Sequence, residues 1–185
     1  MLRAALLALA LLLPALGAAA QTQADKKAAI AEMLDALRSA PDEDASRRIE
    51  SRLRRMQIEA GTAAVTLLMA RGLRELSAGQ HEEAIAAFDD AIVLDPDLAE
   101  AFHQRAVARF RAGDSAAAMA DLAETLKREP RAYAAFRTMA EIFAAREDWK
   151  QAHAAWRKAL ELAPHMAGGQ EKLRELERQA FGRDA

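Results

Sequence analysis

Three stretches decide how this chain folds: residues 79–96, GQHEEAIAAFDDAIVLDP; residues 113–130, GDSAAAMADLAETLKREP; and residues 147–164, EDWKQAHAAWRKALELAP. Laid over one another, they agree at fixed places. Pro96, Pro130 and Pro164 recur at intervals of 34 residues. Ala84, Ala118 and Ala152 keep that interval, as do Phe88, Leu122 and Trp156. Gly79 and Gly113 continue it, with Glu147 in the third place. A constant period of about 34 residues, with small, aromatic and proline positions at fixed offsets, marks helix–turn–helix units stacked into a solenoid. Glycine suits the turn because it enters the left-handed region without a Cβ penalty. Glu147 must adopt that conformation without this freedom, or its helix must end differently. Alanine lets two helix axes approach closely. The larger residue four places on lies one turn further along the same face and fills the core.

Working outward, the units span 65–98, 99–132 and 133–166. Their first helices carry Leu68, Phe102 and Phe136 at one early position and Gly72, Ala106 and Ala140 at a close contact. A later small position holds Ala91, Thr125 and Ala159. This pattern resembles the tetratricopeptide repeat, the TPR, in three contiguous copies. It departs from that family at Arg71 and Arg105, where Leu is usual, and at Glu147, where Gly is usual.

The resemblance implies an all-α, right-handed α-solenoid whose first helices line a concave groove that holds a protein or peptide. The residues placed in that groove by register are Met69, Leu73 and Leu76 from the first repeat. The second offers Glu100, His103, Val107, Phe110 and Arg111, and the third Arg137 and Glu141. Such a groove is apolar at its front and charged toward its back, which suits an amphipathic helix or an extended peptide. A competing reading makes Met69, Leu73 and Leu76 core, covered by the helices that precede them. TPRs that grip the C-terminal carboxylate of chaperones use Lys and Asn where this chain has Met69 and Leu73, so that activity is not implied.

The flanks read differently. Residues 1–20 have one positive charge at Arg3, an apolar run from Ala4 to Leu13, Pro14, and the small residues Ala18-Ala19-Ala20 before Gln21. This is the pattern of a secretory signal peptide, with cleavage between Ala20 and Gln21. Together with the Ala- and Arg-rich style, it leads to the expectation of a bacterial periplasmic protein. The chain has no Cys, so it can form no disulfide and offers no lipoprotein thiol.

Residues 21–64 read as an atypical helix pair. Ile30, Met33, Leu34 and Leu37 fall on one face from Lys26 to Arg38. Pro41 then breaks the chain, and Asp42 caps a second helix running to about Ala60, with Gly61 ending it. Terminal units of solenoids are commonly irregular, so this pair is expected to cap the front of the stack. Its second helix carries Arg47, Arg48, Arg52, Arg54 and Arg55, a basic face that is either simply solvated or directed at anionic lipid or an acidic partner. Residues 167–185 begin at Gly168-Gly169 and form a capping helix with Leu173, Leu176 and Ala180 on its inner side.

Composition narrows the function. The 185 residues are 52 % hydrophobic and 29 % charged, with a net charge of −2, which describes a folded helical chain without the basic footprint of a nucleic-acid binder. Neither GxxxxGK[ST] nor GxGxxG occurs, and His81, His103, His153 and His165 do not fall at metal-ligand spacing. Adjacent carboxylates such as Asp89-Asp90 diverge by about 100° on a helix and are poorly placed for joint acid–base work. The sequence therefore implies a non-enzymatic interaction scaffold of the periplasm with no cofactor and no metal, binding an unidentified protein or peptide in its groove. The alternative is an envelope assembly component touching membrane or cell wall through its basic N-terminal helix.

Overall fold

A computed structural model describes residues 24–182, so the expected signal segment lies outside the described residues. Among those residues there are nine helices and no strand. Residues 24–38 form α1, and α2 spans Glu43–Ile58. Three helix pairs follow: α3 (Ala63–Ser77) with α4 (His81–Leu94), α5 (Ala99–Arg111) with α6 (Ser115–Arg128), and α7 (Tyr133–Ala145) with α8 (Trp149–Leu162). The chain closes with α9 (Gly169–Phe181). The second helices begin at 81, 115 and 149, every 34 residues, and the first helices end at 77, 111 and 145 at the same step. No described helix is long and apolar enough to cross a membrane.

Local chemistry sets these boundaries. Each first helix ends in the same two backbone bonds. Gly79, Gly113 and Glu147 donate to the carbonyls of Leu76, Phe110 and Ala144, while Gln80, Asp114 and Asp148 reach back to Glu75, Arg109 and Phe143. This double closure requires a left-handed residue just past the helix. Gly79 and Gly113 have φ of 77° and 92°, and Glu147 takes φ of 59° without being glycine. Open space surrounds both glycines, so they are there for their torsion angle and not for room. Asp114 and Asp148 then accept from Ala117 and Gln151 and cap the helices that follow. Replacing Glu147 with Gly removes the left-handed strain and is expected to stabilise the fold by about 1 kcal/mol, read as a higher thermal midpoint. An unchanged midpoint would mean the strain is relieved elsewhere.

The core follows the periodic positions. Ala84, Ala118 and Ala152 have no exposed surface, and Phe88 and Leu122 are equally buried. Thr125, standing where the other repeats have alanine, is buried and donates its hydroxyl to the Asp121 carbonyl, which satisfies it within its own helix. Trp156 donates its indole N–H to the Gly169 carbonyl at 2.8 Å, tying the last repeat to the start of α9. Leu176 of α9 is buried in the same core, so this helix covers the end of the stack.

The N-terminal pair does more than cap the front of the stack: Ile30 and Ile58 pack against the core of the first repeat, but the pair also reaches the third. Its apolar residues Leu34, Leu37 and Leu53 belong to the core of the third repeat, with Tyr133, Ala140 and Leu176. Asp35 pairs with Arg131 at 3.0 Å, at the loop entering α7. Sequence order suggested stacking against α3 alone, but most of the stripe on α1 and α2 is matched by apolar surface two repeats away, with Ile30 packed against both cores. Asp42 does cap α2, accepting from the Ala45 amide at 2.7 Å. The helix stops at Ile58, two residues short of Ala60. Lys26 explains the early stop: its ammonium donates to the carbonyls of Glu59, Ala60 and Gly61, which are left open there.

Candidate functional site

The first helices of the three pairs touch in succession, α3 with α5 and α5 with α7, and so form one continuous inner face. Over it lies α2. Between them is a cavity of about 390 Å³, floored by α3, α5 and α7 and roofed by Glu50, Arg54 and Gln57. Leu73, Leu76, Glu100, His103, Val107, Arg111, Arg137 and Glu141 all border it, so the register of the repeats brings together eight of the ten groove residues expected from sequence.

Met69 and Phe110 are the exceptions. Met69 is fully buried in the core of the first repeat with Val65, Ala84 and Phe88. Phe110 packs against the core of Ala106, Ala118 and Leu122. Both helices rotate these side chains toward their own pair partner and away from the inner face. Leu73 and Leu76 sit between the two sequence readings: they border the cavity, yet Leu76 is buried and α2 stands opposite.

The middle of the face is a polar network. Glu100 accepts from the Gln104 side chain at 2.6 Å. His103 Nδ1 lies 3.6 Å from Glu100, and its Nε2 is 3.2 Å from the Thr138 hydroxyl, which joins the second repeat to the third. At the back, Arg137 lies 3.8 Å from Glu141, and its Nε has no hydrogen-bond partner. Tyr133 closes this end. Burial raises its phenol well above the ordinary value, and Glu50 beside it adds to the effect, while Arg137 and Arg54 oppose it. Its neutral form is thus favoured by folding, and the associated stability is complete below about pH 10 and is lost as pH rises further. Tyr133 is the only tyrosine in the chain. Tyrosinate absorbance is therefore expected to appear only as the alkaline protein unfolds; a normal titration in the folded state would contradict its burial.

Sequence reasoning missed Tyr133, Thr138 and Gln104, and all of α2. Glu50, Arg54 and Gln57 follow i, i+4, i+7 spacing, so one polar face was legible, but nothing local says that it turns inward. A second cavity, of about 350 Å³, opens beside it at the edge of the stack, between Lys26, Lys27 and Ile30 of α1 and Asp95, Leu98 and Glu129 of the repeat loops. Among the described residues no three His, Cys, Asp or Glu side chains are grouped to hold a metal ion.

Antiparallel helix pairs stacked at a constant step, with an inner face made by the first helix of each pair, define an α-solenoid of the peptide-repeat class. The chain has the fold of tetratricopeptide-repeat (TPR) structures. The family profile described as TPR repeat matches residues 72–113. A TPR repeat-containing protein of Rhizobium etli is 27 % identical over 151 residues, covering 82 % of this chain and 74 % of that protein. The first TPR of Spaghetti (RPAP3), bound to an HSP90 peptide, superposes with a TM-score of 0.59 at 21 % identity, over 64 % of this chain and 94 % of that one. The Yersinia enterocolitica type III secretion chaperone SycD, in complex with a peptide of the translocator YopD, gives 0.56 at 16 % identity, over 66 % and 93 %.

Proposed function

We propose that this protein is an exported, non-catalytic scaffold of the bacterial periplasm that holds a protein or peptide on the inner face of its repeats. The observation that carries this reading is the face itself. Side chains from three successive repeats border one cavity, which combines apolar Leu73, Leu76 and Val107 with charged Arg111, Arg137 and Glu141. Apolar surface with a few convergent charges gives a peptide both burial and direction. Similar folds in Spaghetti and SycD are bound to peptides.

Export rests on the pattern of residues 1–20, and N-terminal sequencing of the mature protein tests it, with Gln21 expected first. Binding is tested by photo-crosslinking in cells from position 107 or 111 on the inner face, against position 67 on α3, where Leu67 is exposed and borders neither cavity. Adducts from 107 and 111 and none from 67 are expected; adducts from 67 alone would reject the inner face. The membrane alternative is less favoured, because Arg54 turns toward the cavity and Arg47 pairs with Glu43 and Asp44.

A further inference from the structure

We propose that α1–α2 is a displaceable strap over the inner face, and that the partner is an amphipathic helix which takes the place of α2. This rests on the reading of the inner face as the binding surface, and adds what the partner looks like and what controls its access.

Three observations lead there. First, α2 itself roofs the inner face, with Glu50, Arg54 and Gln57 set opposite α3, α5 and α7, and a second helix is about 10–12 Å across with its side chains. A helix can reach the inner face only if α2 leaves it. Second, the seat already accepts a helix, because α2 occupies it. Its Ile49 and Leu53 join the core that contains Tyr133, while Glu50 and Arg54 set their charges beside that phenol. The partner therefore carries an apolar stripe at i, i+4, i+7, as Ile49, Leu53 and Met56 do, flanked by a carboxylate and a guanidinium one turn apart.

Third, the strap is held unevenly. The larger apolar hold is at the third repeat, through Leu34, Leu37 and Leu53, with a smaller one on the first through Ile30 and Ile58. Between these two holds α2 faces the repeats across a polar seam, with Glu50, Arg54 and Gln57 on one side and Glu100, His103 and Glu129 on the other. It touches α3 and α5 only sparsely, unlike the closely packed helix pairs. The base is fixed by Lys26 on the carbonyls of residues 59–61, and the far end by the exposed pair Asp35–Arg131. Surface pairs of this kind hold weakly. The link to α3 consists of residues 59–62 and is anchored by Ala60 in the first-repeat core, so α1 and α2 swing as a hairpin from that point once Ile30 and Ile58 leave the same core.

The test uses the full chain and a fluorescent peptide of residues 42–60 as the probe. Two forms are compared with wild type. In one, Leu53→Asp releases the strap from the third-repeat core. In the other, Asp35→Cys with Arg131→Cys is bridged by a bis-maleimide, which reacts only there because the chain has no other Cys. A closed strap lowers apparent affinity by the fraction of open molecules, so release is expected to tighten probe binding at least about tenfold and bridging to weaken it by a similar factor. The complex is expected to contain one chain and one peptide. Equal affinity in all three forms would overturn the strap, as would a complex of two chains with exchanged hairpins.

Hydrogen exchange on the wild type supplies a measurement that does not depend on the variants. Amides of 43–58 are expected to exchange through an opening that leaves α3 to α8 protected. Exchange of 43–58 only together with the repeats would overturn the proposal even if Leu53→Asp fails to fold. Val107→Asp separates the two readings. If it abolishes probe binding while bridging has no effect, only the strap falls. If the released form binds the probe but Val107→Asp changes nothing, the inner face itself is not the binding surface.

Discussion

Phe88→Ala is expected to destabilise the fold by about 3–5 kcal/mol, seen as a lower urea midpoint at an unchanged slope. Phe88 has no exposed surface and centres the core of the first repeat. Its ring lies flush against α3 at Gly72. A Cβ added at Gly72 would sit 2.4 Å from one ring carbon and 2.7 Å from another. Truncating the ring leaves a hole that backbone must border, and two helix axes cannot collapse to fill it. Gly72→Ala alone is expected to destabilise too, because overpacking of about 1–3 kcal/mol outweighs a helix-propensity gain of at most about 1 kcal/mol. The double variant is expected to be less unstable than the two effects summed, since the new methyl occupies the space the ring vacates. Strict additivity would show that the two positions are not in contact.

Asp121→Ala is expected to destabilise by about 3–5 kcal/mol, with little dependence on salt. The Asp121 side chain is 4 % exposed and receives Arg105 through two nitrogens, at 2.9 and 2.6 Å, and Arg109 at 2.8 Å. Arg105 also reaches Asp89 of α4 at 2.5 Å, so one guanidinium joins α4, α5 and α6. Desolvation works against the charge on Arg105, but its bonds to Asp121 and Asp89 outweigh it and raise its pKa. Without Asp121, two mostly buried guanidiniums lose their shared carboxylate, and Arg105 keeps only Asp89. A loss below about 1 kcal/mol would mean that water enters and solvates both cations. This network also accounts for Arg105 at a position where the repeat pattern usually carries leucine: the repeat replaces an apolar contact with a charged one that fixes the junction of its neighbours.

Much of the fold was legible because repeats announce themselves. A residue type recurring at one interval reports a contact made three times, and Ala84, Ala118 and Ala152 are buried for the same reason in each unit. The departures were legible only as departures. Glu147 is the odd turn of the three, and it takes the left-handed conformation anyway, because the double backbone closure around it fixes that torsion. Eight of the ten positions transferred by register came to border one cavity. Met69 and Phe110 did not, since a rotation of about 100° separates the inner face of a first helix from the side that meets its partner, and an apolar residue fits either.

The sequence by itself determined the helices, their turns, their step of 34 residues and the residues between them, because these depend on contacts close along the chain. The tertiary structure alone decided where α1 and α2 go. Their apolar stripe states that they must be buried but not against what, and the surface that accepts Leu34, Leu37 and Leu53 includes Tyr133, about 80 residues beyond Leu53. Long-range docking of this kind is set by shape and charge at both surfaces together, such as Asp35 meeting Arg131, and no periodicity along the chain encodes it.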